Sequence, residues 1–109
     1  MTGAVSETWV DAVAVGNLPD GDAMRFDHNG LCVAVYHAEG KFYATAGVCS
    51  HEHAFMSEGY LDGHVIECPL HQALFDIRTG AVLSPPATKP LRVFATRVVD
   101  GQVQVKVDD

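Results

Sequence analysis

The chain has 109 residues, 48% of them hydrophobic, and it carries 14 acidic against 7 basic side chains, a formal net charge of −7. That length suits one domain with a modest core, and the apolar content argues against disorder. The acidic balance argues against nucleic acid and anionic membrane surfaces, which want basic patches, and it suits either a partner with a basic face or a monomer kept apart by its own charge.

The first segment, Met1 to Val15, has no basic n-region, and Glu7 and Asp11 interrupt its apolar residues. There is no twin-arginine signal and no run approaching a membrane span, so a cytoplasmic chain is expected. Turn signals then recur at Pro19-Asp20-Gly21, Asn29-Gly30, Glu39-Gly40, Asp62-Gly63, Thr79-Gly80 and Asp100-Gly101. Short runs rich in Val, Phe, Tyr and Thr lie between them. Asn29-Gly30 is the strongest hairpin signal and joins Ala23–His28 to Leu31–Tyr36. Lys41–Ala46 follows as a neighbouring strand. Ala54 to Tyr60 has room for a single helical turn, and no helical period is sustained anywhere. His64–Glu67 and Ala73–Ile77 read as short strands. Leu91–Val99 and Gln102–Val107 form a last hairpin, in which alternation places the valines of the second strand on a core. The expected class is therefore all-β, in one domain spanning 1–109.

Two cysteine–histidine pairs stand out against this map: Cys49-Ser50-His51 and Cys68-Pro69-Leu70-His71. Two thiolates and two imidazoles suit either a tetrahedral zinc or a two-iron cluster with mixed ligands. Zinc-finger spacings usually group Cys with Cys and His with His. Here the two alternate, so each loop can give one ligand to each of two metals. Cys49 and His51 follow the strand Lys41–Ala46, and the strand His64–Glu67 delivers Cys68 to a second loop. Two neighbouring loops can thus grip one centre from opposite sides. The rigid Ser84-Pro85-Pro86 stretch is placed to wall off a third side.

At these residues the chain resembles Rieske-type [2Fe–2S] ferredoxins, of the kind serving bacterial aromatic-ring-hydroxylating dioxygenases. The resemblance covers about Val33 to Val107. Its further parts are Ser57-Glu58-Gly59, Asp62-Gly63, Gln72, Phe75-Asp76, Thr79-Gly80 and Pro85. It implies one [2Fe–2S] Rieske cluster, with Cys49 and Cys68 on an inner iron and His51 and His71 on an outer one. It also implies a Rieske fold, an antiparallel β-sandwich or barrel-like base with a small two-loop cluster-binding subdomain at about 46–86. High-potential members carry an extra cysteine in each loop, where this chain has Ala54 and Leu70, and a serine where it has Ala73. They also need a membrane anchor. All three differences favour a low-potential ferredoxin. Family members often have glycine at the position of Ala73, so the alanine methyl is a departure.

The implied role is a one-electron shuttle from a FAD- and NADH-dependent ferredoxin reductase to a terminal Rieske oxygenase, a component of aromatic hydrocarbon catabolism and not itself an enzyme. Two alternatives stay open: a small Rieske subunit of a nitrite reductase-type enzyme, and a zinc-stabilised interaction module. Among the remaining residues, His28, His37, His53 and His64 read as surface or packing residues, and Cys32 as a small buried hydrophobe. Trp9, Phe42 and Tyr43 read as core or strand-face aromatics. Glu52, Glu58, Asp62 and Glu67 flank the ligand pairs in sequence, either as a solvated rim or as a docking ring for basic residues.

Overall fold

A computed structural model of the chain describes residues 8–48, 55–69, 73–84 and 89–107. Ten strands run through it: β1 (Trp9–Ala14), β2 (Ala23–His28), β3 (Leu31–Ala38), β4 (Lys41–Ala46), β5 (Tyr60–Asp62), β6 (Val65–Glu67), β7 (Leu74–Asp76), β8 (Val93–Phe94), β9 (Thr96–Val99) and β10 (Gln102–Lys106). Two short 3-10 turns, Val15–Asn17 and Met56–Glu58, are the helical elements among the described residues. No helix is long and apolar enough to cross a membrane among them.

The strands form three sheets: β1-β10-β9, β2-β3-β4-β8 and β5-β6-β7. Every pairing is antiparallel. The expected hairpins are present. Asn29 and Gly30 both have positive φ (49° and 84°), as do Glu39 and Gly40 (50° and 81°). Two consecutive left-handed residues match the right-handed twist of the strands they join. Strand β3 runs two residues beyond the expected end, to Ala38.

β3 organises the interior. Val33, Ala34, Val35 and Tyr36 are all fully buried. Successive side chains point to opposite faces of a strand, and here each face has its own core. Val33 and Val35 pack with Val13, Leu18, Ala44, Phe94, Val103 and Val105. Ala34, Tyr36 and Ala38 pack with Met56, Ile66, Cys68, Phe75 and Leu91. The central sheet therefore lies between the β1-β10-β9 sheet and the small β5-β6-β7 sheet, and an uninterrupted apolar run is what a doubly covered strand requires. The Tyr36 hydroxyl lies 2.9 Å from Thr45 Oγ1, which itself donates to the Ala46 carbonyl. The Thr45 proton being committed, Tyr36 is the donor in the first bond. Burial pushes the Tyr36 phenol well above its usual range, against the smaller opposing effect of the Thr45 bond.

Two expectations need correction. Leu91–Val99 is not one strand. β8 pairs with β4, whereas β9 pairs with β10, and Ala95 lies between them. The segment crosses from the central sheet to the terminal one, so a single ladder cannot contain it. Cys32 is only half-buried. It sits opposite Asp27 near the start of β3, and its thiol is pushed up by burial and then by a hydrogen bond with Asp27. The aromatics are strand-face residues, as expected. Arg97 lies over the Trp9 ring at 4.2 Å, and Phe42 stacks on His37 at 4.1 Å.

Candidate metal centre

Each Cys–His pair belongs, in sequence, to a chain segment closed at its base by backbone bonds. Val48 bridges Phe55, and the Met56 N–H donates to the Gly47 carbonyl at 2.8 Å. Cys49 and His51 fall between these closures in sequence and lie outside the described residues, as do Glu52, His53 and Ala54. The second segment leaves the β6–β7 hairpin. Glu67 pairs with Leu74, and the Cys68 N–H donates to the Ala73 carbonyl at 2.7 Å. His71 falls between Cys68 and Ala73, again outside the described residues. A third segment lies along β7. The Leu83 N–H donates to the Leu74 carbonyl at 2.8 Å, and the Leu74 N–H donates to Ser84 Oγ at 3.2 Å. Pro85 and Pro86, expected to wall the site, lie outside the described residues.

The bases of the two Cys–His segments meet. Met56 from the first, and Cys68 and Ala73 from the second, belong to one buried cluster, and all three are fully buried. Two glycines permit close packing at these bases, Gly47 against β3 and Gly59 against the second segment. A Cβ at Gly47 would lie 2.5 Å from Cys32 Sγ and 3.1 Å from backbone carbons of Cys32 and Val33. A Cβ at Gly59 would run into the Glu67 carbonyl oxygen, one residue before Cys68. On the outer side, Arg25 lies 4.1 Å over the ring of Phe55 and pairs with Asp27 at 3.0 Å.

The histidines among the described residues have other work. His37 Nδ1 is 2.7 Å from the Leu18 carbonyl. His64 Nε2 is 3.5 Å from the Tyr43 hydroxyl, tying the small sheet to the central one. His28 lies 3.3 Å from Asn29 Nδ2. No group of three His, Cys, Asp or Glu side chains forms a cation site among the described residues. Nearby, Arg78 donates to both Asp76 oxygens at 3.1 and 2.9 Å, and this holds the Asp76 carboxyl below its usual range. Glu58 and Asp62 are exposed, and Glu67 is half-buried. A cavity of about 380 Å³ beside Cys68 and Pro69 is lined by Glu58, Gly59, Tyr60 and Glu67.

With a buried cysteine and two closed segments on a common base, the chain belongs to the Rieske [2Fe-2S] domain family, which matches residues 8–95. Among its relatives, the ferredoxin component of the naphthalene 1,2-dioxygenase/salicylate 5-hydroxylase systems of Ralstonia sp is 38% identical over 95% of this chain and 100% of its own length. The ferredoxin component of the naphthalene 1,2-dioxygenase system of Pseudomonas aeruginosa is 40% identical, covering 93% of this chain and 97% of its own. A solved complex of reduced oxygenase and oxidised ferredoxin in carbazole 1,9a-dioxygenase contains a chain that superposes with a TM-score of 0.87 at 40% identity, covering 93% of this chain and 94% of that one.

The cofactor of this family is one Rieske [2Fe–2S] cluster, and the residues here fit it. Cys68 is fully buried at the mouth of a closed segment. A second cysteine, Cys49, and three histidines, His51, His53 and His71, are confined by sequence to the same two segments.

Proposed function

We propose that the chain is a one-electron carrier, the ferredoxin of an aromatic-ring dioxygenase system, taking electrons from a flavin-dependent reductase and passing them to a terminal oxygenase. The observation that carries this reading is the shared buried base of the two Cys–His segments, Met56, Cys68 and Ala73, in a chain that matches dioxygenase ferredoxins along nearly its whole length. The cluster, when bound, supplies a one-electron couple. Cys49 and Cys68 hold its inner iron, and His51 and His71 hold its outer iron. Neutral imidazoles in place of two thiolates reduce the negative charge and ease reduction. Rieske centres therefore span roughly −150 to +300 mV, against about −400 mV for all-cysteine plant-type clusters.

Four protein ligands leave no open metal position for a substrate, so this chain carries electrons and the oxygenase carries the chemistry. The protein works as a cytoplasmic monomer, one domain over 1–109 with its cluster-binding part at about 46–86. The test is direct. Purified protein should hold about two irons and two sulfides per chain, bleach on reduction, and give a reduced-state EPR signal with an average g below that of all-cysteine clusters. NADH with a ferredoxin reductase should reduce it, and an oxygenase should reoxidise it. Stoichiometric zinc without visible absorption would overturn the reading.

A further inference from the structure

In the small sheet, Leu61, Ile66 and Phe75 stand in one cross-strand row, with Ile66 and Phe75 buried and Leu61 packed against their core. The alternate row, Tyr60, Glu67 and Leu74, must face the other way. Leu83 extends it, bonded to the Leu74 carbonyl through its N–H. Tyr60 is 67% exposed and Leu83 is 50% exposed, and with Val98 they are the three most exposed large apolar side chains among the described residues. Tyr60, Asp62, Val65, Glu67 and Leu74 line a groove of about 260 Å³ on this face. Neither the Asp62 nor the Glu67 carboxylate is hydrogen-bonded or ion-paired to another described residue. Tyr60 and Glu67 also line the cavity beside Cys68, so the groove runs on to the second ligand segment.

We propose that this face is a docking surface for a basic electron-transfer protein, whose lysine or arginine side chain enters the groove beside Tyr60. Val65 and Leu74 offer apolar walls for a methylene stem, which long cationic side chains bury readily. Tyr60 offers a ring face for the cation. Asp62 and Glu67 supply the opposite charge, on a molecule of net charge −7. This deepens the carrier reading and rests on it.

Mitochondrial cytochrome c, a lysine-rich protein, is the probe. One electron passes from the chemically reduced protein to the ferric haem, followed by stopped flow at low salt. A variant combining Asp62→Asn with Glu67→Gln removes two charges, from −7 to −5. A control combining Asp11→Asn with Asp100→Asn, on the β1-β10-β9 sheet and its turn, makes the same change. The groove variant should slow transfer roughly tenfold and the control less than about twofold, because rim charges facing the partner govern the on-rate. At about 0.5 M salt the acid variants should converge with wild type, whereas Tyr60→Thr should stay slower. Equal slowing by both double variants would leave the carrier reading standing and overturn the groove. A reduced protein that cytochrome c cannot oxidise would remove the carrier reading itself. Sedimentation showing a dimer that Tyr60→Thr dissolves would assign the groove to a second copy and overturn the proposal.

Discussion

Cys68 and Cys32 separate the consequences of losing a thiol. Cys68 sits inside the cluster that joins both ligand segments, and Cys32 sits half-buried outside it. Cys68→Ala or Cys49→Ala should abolish iron binding and lose much of the folding free energy linked to it. Cys32→Ala should keep full iron content, and iron analysis beside thermal melting decides between them. His51→Cys or His71→Cys, where the cluster still assembles, should lower the potential. An unchanged potential and spectrum at either position would show that the histidine is no ligand. Ala73 gives a finer test. Serine there would offer a hydroxyl toward the bound cluster, and a donor favours the more negative, reduced form. If about 1 kcal/mol of a charged hydrogen bond distinguishes the two redox states, the potential rises by roughly 40 mV, since a one-electron couple moves ~59 mV per 1.4 kcal/mol. Ala73 is fully buried, so a hydroxyl without an acceptor would cost about 1–3 kcal/mol of stability. Protein-film voltammetry together with melting therefore shows whether the hydroxyl found its acceptor: a lower melting point with no upward shift would mean it did not.

Among elements, the contact between the chain after the first Cys–His pair and β6 is tightly constrained. Gly59→Ala drives a methyl into the Glu67 carbonyl, a backbone obstruction that cannot rotate away. We expect about 2–4 kcal/mol of destabilisation and reduced iron content; a loss under about 1 kcal/mol in chemical denaturation would show that the small sheet yields. Tyr36 ties β3 to β4, and its titration has a definite sign. Its folded-state pKa is raised, so its contribution is fully present below the unfolded tyrosine value near 10. That contribution is lost at up to about 1.4 kcal/mol per pH unit as pH rises above it. Tyr36→Phe should lose about 1 kcal/mol at neutral pH, and the stabilities of the two proteins should meet and then cross in strongly alkaline solution, where the tyrosine protein becomes the less stable. The hairpins were legible because Asn29-Gly30 and Glu39-Gly40 are local signals. β1 escaped notice because a register shift between Asp11 and Val13 breaks its alternation and its partner, β10, lies at the far end of the chain. The break at Ala95 was hidden for a similar reason: no Gly or Pro marks it, and only the change of partner reveals it. β5 has three residues, too few to show a period.

For the whole molecule, charge sets how partners meet. With a net charge of −7, transfer to a basic partner should slow as salt rises, because the Debye length falls from ~10 Å at 0.1 M to ~3 Å at 1 M. A rate indifferent to salt with both reductase and oxygenase would point to apolar docking. The two Cys–His pairs were readable from spacing, since residues that share a loop are neighbours in sequence. The row Tyr60–Glu67–Leu74–Leu83 was not, because it exists only through cross-strand register. The acids around the ligand pairs were visible, but not which of them stand beside an exposed ring.

The two rows of the small sheet have a consequence for inheritance. Leu61, Ile66 and Phe75 pack the core, whereas Tyr60, Glu67 and Leu74, each the immediate neighbour of one of them in the chain, stand on the other face. Foldability and partner choice are thus written in adjacent codons of the same stretches of the gene. A duplicated copy can drift along the outward row toward a new redox partner while purifying selection holds the inward one, and it need not cross an unfolded intermediate to do so.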